Sequence, residues 1–238
     1  MRLDRYLSDM GIASRKESAA AARRGGVAVN GAVVKDASRH IDPDKDRVSY
    51  LGREIVYRRF TYVMLNKPEG YVSATEDRHL PCVLELLDEE LRRMELFPVG
   101  RLDRDTVGLM LLTNNGPLGH DLLSPRHHVE KDYRFLCESP LVPEAERLFA
   151  EGIVLDGDEV CKSAVLVADA DRMGGVITLT EGKYHQIKRM LAAIDNRITY
   201  LERIRFGGIG LDPVLARGEY RLLSDEEIAL LQSHAKTH

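Results

Sequence analysis

The sequence predicts an α+β protein with two domains: a small helix-helix-hairpin domain, then a larger domain with a mixed or antiparallel sheet. Strand and helix patterns alternate irregularly along the chain, which is typical of α+β folds. Charge also divides the chain, because residues 1–60 contain 13 Lys and Arg against 8 Asp and Glu, whereas the remainder contains 21 against 30. The length of 238 residues suits one small and one larger domain. We expect residues 1–58 and residues 59–238 to form these two domains.

The composition argues against several classes of protein. With 44% hydrophobic and 30% charged residues, the chain is typical of globular proteins, and no apolar run is long enough to span a membrane. The N-terminal residues lack the apolar stretch of a signal peptide. Three widely spaced cysteines argue against a disulfide framework and a thiolate zinc site, and they suit a reducing cytoplasm. The absence of tryptophan and an aromatic content of 6% argue against a broad aromatic platform for single-stranded RNA.

The first 58 residues contain the signals of two helices and a hairpin. Apolar residues at positions 3, 6, 7 and 10 have helical spacing, and Gly11 can end that helix. Ser14 and Glu17 form a capping-box pattern at the start of a second helix. Asn30-Gly31, between two apolar triplets, is a strong signal for a tight hairpin. Residues 48–55 are expected to complete the domain.

Basic residues cluster at the two ends of the second predicted helix. Such clusters are typical of phosphate contacts that do not read sequence, but a solvated helix face would have the same charges. The segments LDRYL at 3–7, SRK at 14–16 and VAVNG at 27–31 together resemble an S4 RNA-binding domain, over about the first 50 residues. This resemblance favours RNA contacts, which are expected from Arg2, Arg5, Ser14, Arg15, Lys16, Arg23 and Arg24.

In the larger domain, β-prone apolar runs predict strands over residues 60–65, 107–112, 133–137, 164–167 and 176–179. Helical patterns predict helices over residues 83–94, 144–149 and 184–194. A second capping box, from Ser224 to Glu227, predicts a final helix through residue 231. Turns are expected at residues 66–70 and 114–116. Lys67 precedes Pro68 in the first of these turns, and we expect it to be structural.

Residues 100–109, GRLDRDTVGL, form the densest group of ionisable side chains. This loop leads directly into an apolar strand, which can hold Asp103 at the mouth of a cleft. Paired aspartates also occur in glycosidases and metal sites, but no second carboxylate site is evident, and the interleaved arginines repel a cation. A salt-bridged surface loop would show the same spacing. The histidines at 120, 127, 128 and 185 do not have the spacing of a zinc site.

The same segment strongly resembles the catalytic motif of the pseudouridine synthases, G-R-L-D-x-D-T-x-G-L. Further segments resemble this family in the same order: MLNKP at 64–68 with GYV at 70–72, SPRHHVEKDY at 124–133, and EGKYHQIKRM at 181–190. The double histidine before Glu130 and the YHQ sequence at 184–186 favour the RsuA branch. Members of that branch isomerise a uridine in small-subunit (16S) ribosomal RNA. The resemblance implies an S4 domain followed by a pseudouridine synthase domain.

The resemblance also implies roles for individual residues. Asp103 corresponds to the catalytic aspartate, which attacks the uridine at C1′ of the sugar or at the base. Lys188 aligns with the basic residue that pairs with this aspartate, and Arg189 is the alternative; a neighbouring cation favours the ionised carboxylate. Tyr133 corresponds to the tyrosine that stacks against the target base. The RNA contacts expected in this domain are Arg101, Arg104 and Arg189.

The implied reaction is an isomerisation that gains and loses no atoms, so no metal or other cofactor is expected. The expected partner is 16S ribosomal RNA within an assembling small subunit, with no membrane contact, and a monomer is expected because nothing indicates an obligate dimer. Three alternatives stay open: the same chemistry on 23S ribosomal RNA, an inactive RNA-binding factor for ribosome assembly, and a metal-dependent hydrolase. The intact set of Asp103, Tyr133 and Lys188 argues against the inactive factor.

Overall fold

The computed structural model describes residues 1–236, which form two compact units. The first unit comprises residues 1–61 and 84–97, and the second comprises residues 62–83 and those from 98 onward. Both units combine helices with sheet, which confirms the α+β class. The first unit therefore includes residues 84–97, a segment that is separated in sequence from the rest of that unit by residues 62–83.

The first unit has two N-terminal helices and a four-stranded antiparallel sheet of order β2-β1-β3-β4. Its elements are α1 (Leu3–Asp9), α2 (Arg15–Arg23), β1 (Val27–Val29), β2 (Ala32–Val33), β3 (Val48–Tyr50) and β4 (Arg53–Ile55). The predicted capping box is confirmed: Glu17 N donates to Ser14 Oγ at 3.2 Å, and Ser14 N donates to Glu17 Oε2 at 2.7 Å. The predicted hairpin is confirmed as well, since Asn30 and Gly31 both have positive φ, 53° and 80°.

The long helix predicted over residues 83–94 is wrong. A 3₁₀ turn covers Val83–Leu86, and a separate helix, α3 (Glu89–Arg92), follows. The break lies at Asp88, whose extended backbone and side chain cap the new helix by accepting a hydrogen bond from Leu91 N at 2.9 Å. An aspartate that caps a helix in this way competes with continuing the preceding one.

The second unit is built on a sheet of nine strands, seven of them in the order β11-β12-β8-β13-β7-β5-β15, with β14 beside β13 and β6 beside β7. Its strands are β5 (Tyr62–Lys67), β6 (Phe97–Pro98), β7 (Val107–Thr113), β8 (Lys131–Cys137), β11 (Val165–Ala168), β12 (Gly174–Leu179), β13 (Ile198–Phe206), β14 (Ile209–Gly210) and β15 (Tyr220–Leu222). A separate hairpin joins β9 (Val154–Leu155) and β10 (Glu159–Val160). Its helices are α4 (Gly116–Leu123), α5 (Ala145–Glu151), α6 (Gln186–Ala192) and α7 (Asp225–Lys236).

In this sheet β13 runs parallel to β7 and antiparallel to β8, and β5 runs antiparallel to β7, so the sheet is mixed as predicted. The five predicted strands of this unit all exist, with small shifts at their ends, and the helix predicted from residue 184 begins at Gln186. Two central features were not predicted: β13, the longest strand, and α4, which follows directly on the turn at Asn115. Every residue of β5 and β7 is buried, which places the core around this pair.

None of the helices in residues 1–236 is long and apolar enough to cross a membrane.

Candidate active site

A cavity of about 720 Å³ opens in the second unit. One wall is the loop of residues 100–106, which leads into β7, and another is the segment of residues 179–188, from the end of β12 into α6. Lys131, Tyr133, Leu201 and Arg203, from the adjacent strands β8 and β13, line it as well. The volume suits a ligand of the size of one nucleotide.

The loop that carries Asp103 is held by its backbone. The ammonium group of Lys67 is fully buried and donates to the carbonyl oxygens of Asp103 at 3.1 Å, Arg104 at 3.3 Å and Thr106 at 2.8 Å. Ser73 fixes Leu102 from the other side, since its Oγ donates to Leu102 O at 2.8 Å and accepts from Leu102 N at 2.9 Å. These contacts agree with the structural role expected for Lys67, and they fix the backbone from which the Asp103 carboxylate projects.

Lys188 pairs with both aspartates of the loop. Its Nζ lies 2.9 Å from Asp103 Oδ2 and 2.6 Å from Asp105 Oδ1. Burial favours the neutral amine of Lys188, but the hydrogen bonds and charges of Asp105 and Asp103 outweigh it, so its pKa is raised above 10.5. Burial likewise favours the protonated acid at Asp105, yet the bond to Lys188 leaves its pKa below the ordinary value. The ammonium group of Lys188 therefore lies between the two carboxylates of the loop.

His185 is a further polar neighbour of Asp103. Its Nε2 lies 3.6 Å from Asp103 Oδ1, and its backbone adopts a left-handed conformation, with φ 47°, immediately before α6. The ring stacks on that of Tyr184, with centroids 3.8 Å apart. Tyr184 is 71% exposed and lines the cavity, so an aromatic face lies open to solvent beside Asp103.

Tyr133 lies on β8 and lines the same cavity as Asp103. Its side chain is largely buried, and its register partner across the sheet is Arg203 of β13. The structure thus brings the three predicted catalytic residues, Asp103, Tyr133 and Lys188, to one cavity.

The arginines predicted to contact RNA in this unit occupy different places. Arg101 and Arg104 are exposed and line the cavity, and within residues 1–236 no carboxylate lies within 4.0 Å of either. Arg189 does not line it; its guanidinium lies 2.8 Å from Glu159 Oε2. Lys188 rather than Arg189 therefore lies against Asp103.

The residues predicted to contact RNA in the first unit are also of two kinds. Arg2 and Arg5 pair with Asp4 at 2.6 Å and Asp9 at 3.4 Å, and Ser14 Oγ caps α2. The remaining four are exposed, and none has a carboxylate within 4.0 Å in the described part of the chain; these are Arg15, Lys16, Arg23 and Arg24. Their charges are available to a polyanion.

Arg203 and Lys131 line the cavity but were not predicted as site residues. The period-2 pattern of β13 contains a signal for Arg203, because an arginine alternates there with Leu201 on the inward face. Because β13 was not predicted as a strand, this alternation could not identify Arg203 as a site residue. No group of three or more His, Cys, Asp or Glu side chains arranged for a metal ion occurs within residues 1–236.

Family models, sequence relatives and a solved structure all relate this chain to pseudouridine synthases. Residues 61–193 match the family model of the RNA pseudouridylate synthases, and residues 1–48 match that of the S4 domain. The chain is 44% identical to the uncharacterized RNA pseudouridine synthase YtzG of Bacillus subtilis, over 97% of this chain and 98% of that protein. It is 42% identical to ribosomal small subunit pseudouridine synthase A of Escherichia coli K12, over 96% and 99%. A crystal structure of a pseudouridylate synthase superposes with a TM-score of 0.69 and 36% identity, covering 97% of this chain and 99% of that one.

Proposed function

This chain belongs to the RNA pseudouridine synthases, in their RsuA type with an S4 domain, and we propose that it isomerises one specific uridine of 16S ribosomal RNA. Members of this family convert uridine in RNA to pseudouridine. The 16S assignment is supported by the relative from Escherichia coli, whose name refers to the small ribosomal subunit. Ribosomal RNA as substrate implies action in the cytoplasm.

We propose Asp103 as the nucleophile. The observation that carries this is the ion pair between Asp103 Oδ2 and Lys188 Nζ, 2.9 Å apart, within the cavity. The ion pair places a positive charge beside the carboxylate, and an ionised carboxylate is the form that attacks carbon. Asp103 bonds to C1′ as the C1′–N1 bond of the uridine breaks, the base turns, and C5 then displaces the carboxylate from C1′. The proton on C5 is then lost and N1 gains one, so the product is an isomer of the substrate.

Tyr133 is proposed to stack against the target base. It lines the same cavity as Asp103, and its ring belongs to a strand of the central sheet, which fixes its position. A uridine within a stacked RNA helix does not expose its glycosidic bond, so the nucleotide has to turn out of the stack to react. The exposed ring of Tyr184 at the cavity offers a second flat surface to a neighbouring base.

RNA binding is proposed to depend on the unpaired cations. Phosphate contacts dominate the affinity for RNA and make it salt-dependent, with a slope of about 0.7 per contact on single strands. Replacing Arg23 and Arg24 together by glutamine should weaken binding and reduce the salt slope by roughly 1.4. Arg5→Gln is the matched control, because Arg5 already pairs with Asp9, and it should change the slope less.

Mapping pseudouridine in ribosomal RNA after deletion of the gene tests the proposed function. One 16S site should lose its pseudouridine, and the wild-type gene but not the Asp103→Asn gene should restore it. A lost site in 23S RNA would replace the 16S assignment with the alternative substrate. No lost site in either RNA, from a protein that still binds ribosomal RNA, would favour the assembly factor.

A further inference from the structure

Two cations line the cavity with no acidic partner. Within residues 1–236, no carboxylate lies within 4.0 Å of Arg203 or Lys131. Other arginines on the same strands are paired: Arg205 binds Asp132 at 2.5 Å, and Arg134 binds Asp169 at 2.6 Å. Among the basic residues of β8 and β13, the two that line the cavity are therefore the ones without a carboxylate partner in the part of the chain that the structure describes.

Both cations are fixed in place. Arg203 is 1% exposed, and its Nε donates to Leu109 O at 2.7 Å. Lys131 Nζ donates to Val129 O at 2.9 Å. Both cations make a cation–π contact with the ring of Phe206: Arg203 Cζ lies 5.3 Å and Lys131 Nζ 5.4 Å from its centroid.

Such an arrangement is unfavourable for the protein by itself. A buried cation loses hydration, and a second cation nearby adds repulsion, unless a negative charge compensates both. The effect is visible at Lys131, where burial and the charge of Arg203 lower the pKa to about 8. The cavity is thus prepared for a partner that brings negative charge to these groups.

The position of the pair indicates which partner that is. Arg203 of β13 pairs with Tyr133 of β8 on one side and with Gly108 of β7 on the other. It therefore lies between the strand that carries the proposed stacking ring and the strand that follows the Asp103 loop. With 1% exposure, Arg203 is too deep for an RNA backbone phosphate, whereas the edge of a flat base entering the cavity can reach that depth.

We propose that Arg203 and Lys131 bind the uracil ring of the target nucleotide and stabilise the negative charge that develops on it as the C1′–N1 bond breaks. The inference rests on the proposed attack at C1′, in which N1 keeps the electron pair of that bond and Asp103 takes C1′. The charge spreads over N1, O2 and O4 of the base, and both cations can donate hydrogen bonds to the carbonyl oxygens. When C5 bonds to C1′ and displaces the Asp103 carboxylate, the ring becomes neutral again; C5 then loses its proton and N1 gains one.

Lys131→Met tests the proposal, with Lys162→Met as a matched control, because Lys162 is exposed and does not line the cavity. The substrate is whichever transcript, 16S or 23S, the wild-type enzyme modifies, so an error in the 16S assignment does not affect the comparison. Lys131→Met should lower the single-turnover rate by about 100-fold, the usual cost of losing one fixed donor to a developing anion. RNA affinity should change less than about threefold, and the melting temperature should not fall, because a half-buried ammonium group without a carboxylate partner among the described residues has been removed.

A second substrate separates charge stabilisation from a structural role. Fluorine at C5 makes the departing base a weaker base, so RNA with 5-fluorouridine at the target should depend less on the two cations. The rate deficit of Lys131→Met for loss of the N-glycoside, measured by nucleoside mass spectrometry, should shrink to about tenfold or less on that RNA. Arg203→Met should show the same pattern if it folds; Lys131→Met decides the question if it does not.

Equal deficits on uridine and 5-fluorouridine would overturn the proposal and leave the pair a structural role. A deficit that appears only in RNA affinity, with a shallower salt slope, would also overturn it and identify a phosphate contact. Asp103→Asn on the same RNA reports separately on the nucleophile, so failure of the proposed attack is distinguishable from failure of the cation pair.

Discussion

Replacing Asp103 by asparagine separates the proposed chemistry from the structural role of the loop. The variant keeps the size of the side chain and one acceptor oxygen but loses the carboxylate. Loss of a nucleophile should lower single-turnover pseudouridine formation by about 10⁴-fold or more. Tritium release from RNA labelled at C5 of uridine measures this directly.

The expected change in stability is small. The side chains of Asp103 and Lys188 are 30% and 25% exposed, and a partly exposed ion pair contributes about 0–1 kcal/mol. Lys188 also keeps its second carboxylate, Asp105 Oδ1, at 2.6 Å. The melting temperature should therefore stay close to that of the wild type, and RNA affinity should change less than about threefold, because phosphate contacts dominate it.

Asp105→Asn is the matched control on the same loop. Asp105 pairs with the same lysine but is 60% exposed and does not line the cavity, so its variant should keep activity within about tenfold of the wild type. Similar losses of activity in both variants would indicate that Asp103 has no role beyond the ion pairs that both aspartates form with Lys188. Appreciable pseudouridine formation by folded Asp103→Asn protein would refute the proposed mechanism.

Three further outcomes are expected from other residues. Lys188→Met should lower the single-turnover rate by about 100-fold or more with nearly unchanged RNA affinity, because it removes the cation beside the nucleophile; rapid-quench kinetics and filter binding measure the two quantities. Gly108→Ala should reduce the free energy of unfolding by about 2–4 kcal/mol, measured by urea denaturation. At this position φ is +98° and a Cβ would lie 2.4 Å from Arg203 O. The single-turnover rate should fall as the pH rises through about 8, where Lys131 loses its proton and its charge.

Each of these has its own control. Arg189→Met should leave the single-turnover rate nearly unchanged, since Arg189 binds Glu159 at 2.8 Å. A rate loss as large as that of Lys188→Met would contradict the assignment of the ion-pair role to Lys188. Gly210→Ala meets no atom within 4 Å and should leave stability nearly unchanged. Burial also lowers the pKa of Lys67 to about 8, so the pH profile is compared with that of Lys131→Arg, which keeps Lys67 but has no lysine at position 131. An identical fall in both proteins would exclude Lys131 as its cause.

Local signals predicted local structure well. The capping boxes at Ser14 and Ser224 and the hairpin at Asn30-Gly31 each depend on a few neighbouring residues, and all three exist. The loop of Asp103 was also predicted, because its motif is continuous in sequence. The approach of Lys188, 85 positions further along the chain, follows from the resemblance and not from any local pattern.

Features that depend on distant partners escaped prediction. The sequence of β13, ITYLERIRF, contains three charged residues and is typical of an exposed edge strand, yet it lies between β8 and β7. Its charges are accommodated by residues outside the strand: Glu202 binds Arg217 at 2.7 Å, and Arg203 donates to Leu109 O. The helix predicted over residues 83–94 failed for the opposite reason, because a local cap at Asp88 outweighed a continuous apolar periodicity.

The segment of residues 84–97 affects how the N-terminal unit can be made. Leu87, Leu91 and Leu96 of this segment are buried, and Glu90 of the segment binds Arg53 at 2.8 Å. During synthesis the chain emerges from its N-terminus, and domains fold as units once their residues are available. We therefore expect this unit to complete its fold only after residue 97, and not residue 61, has left the ribosome, with residues 62–83 as the loop between its two segments. A transplantable version of this module would need both segments, joined by a short linker in place of that loop.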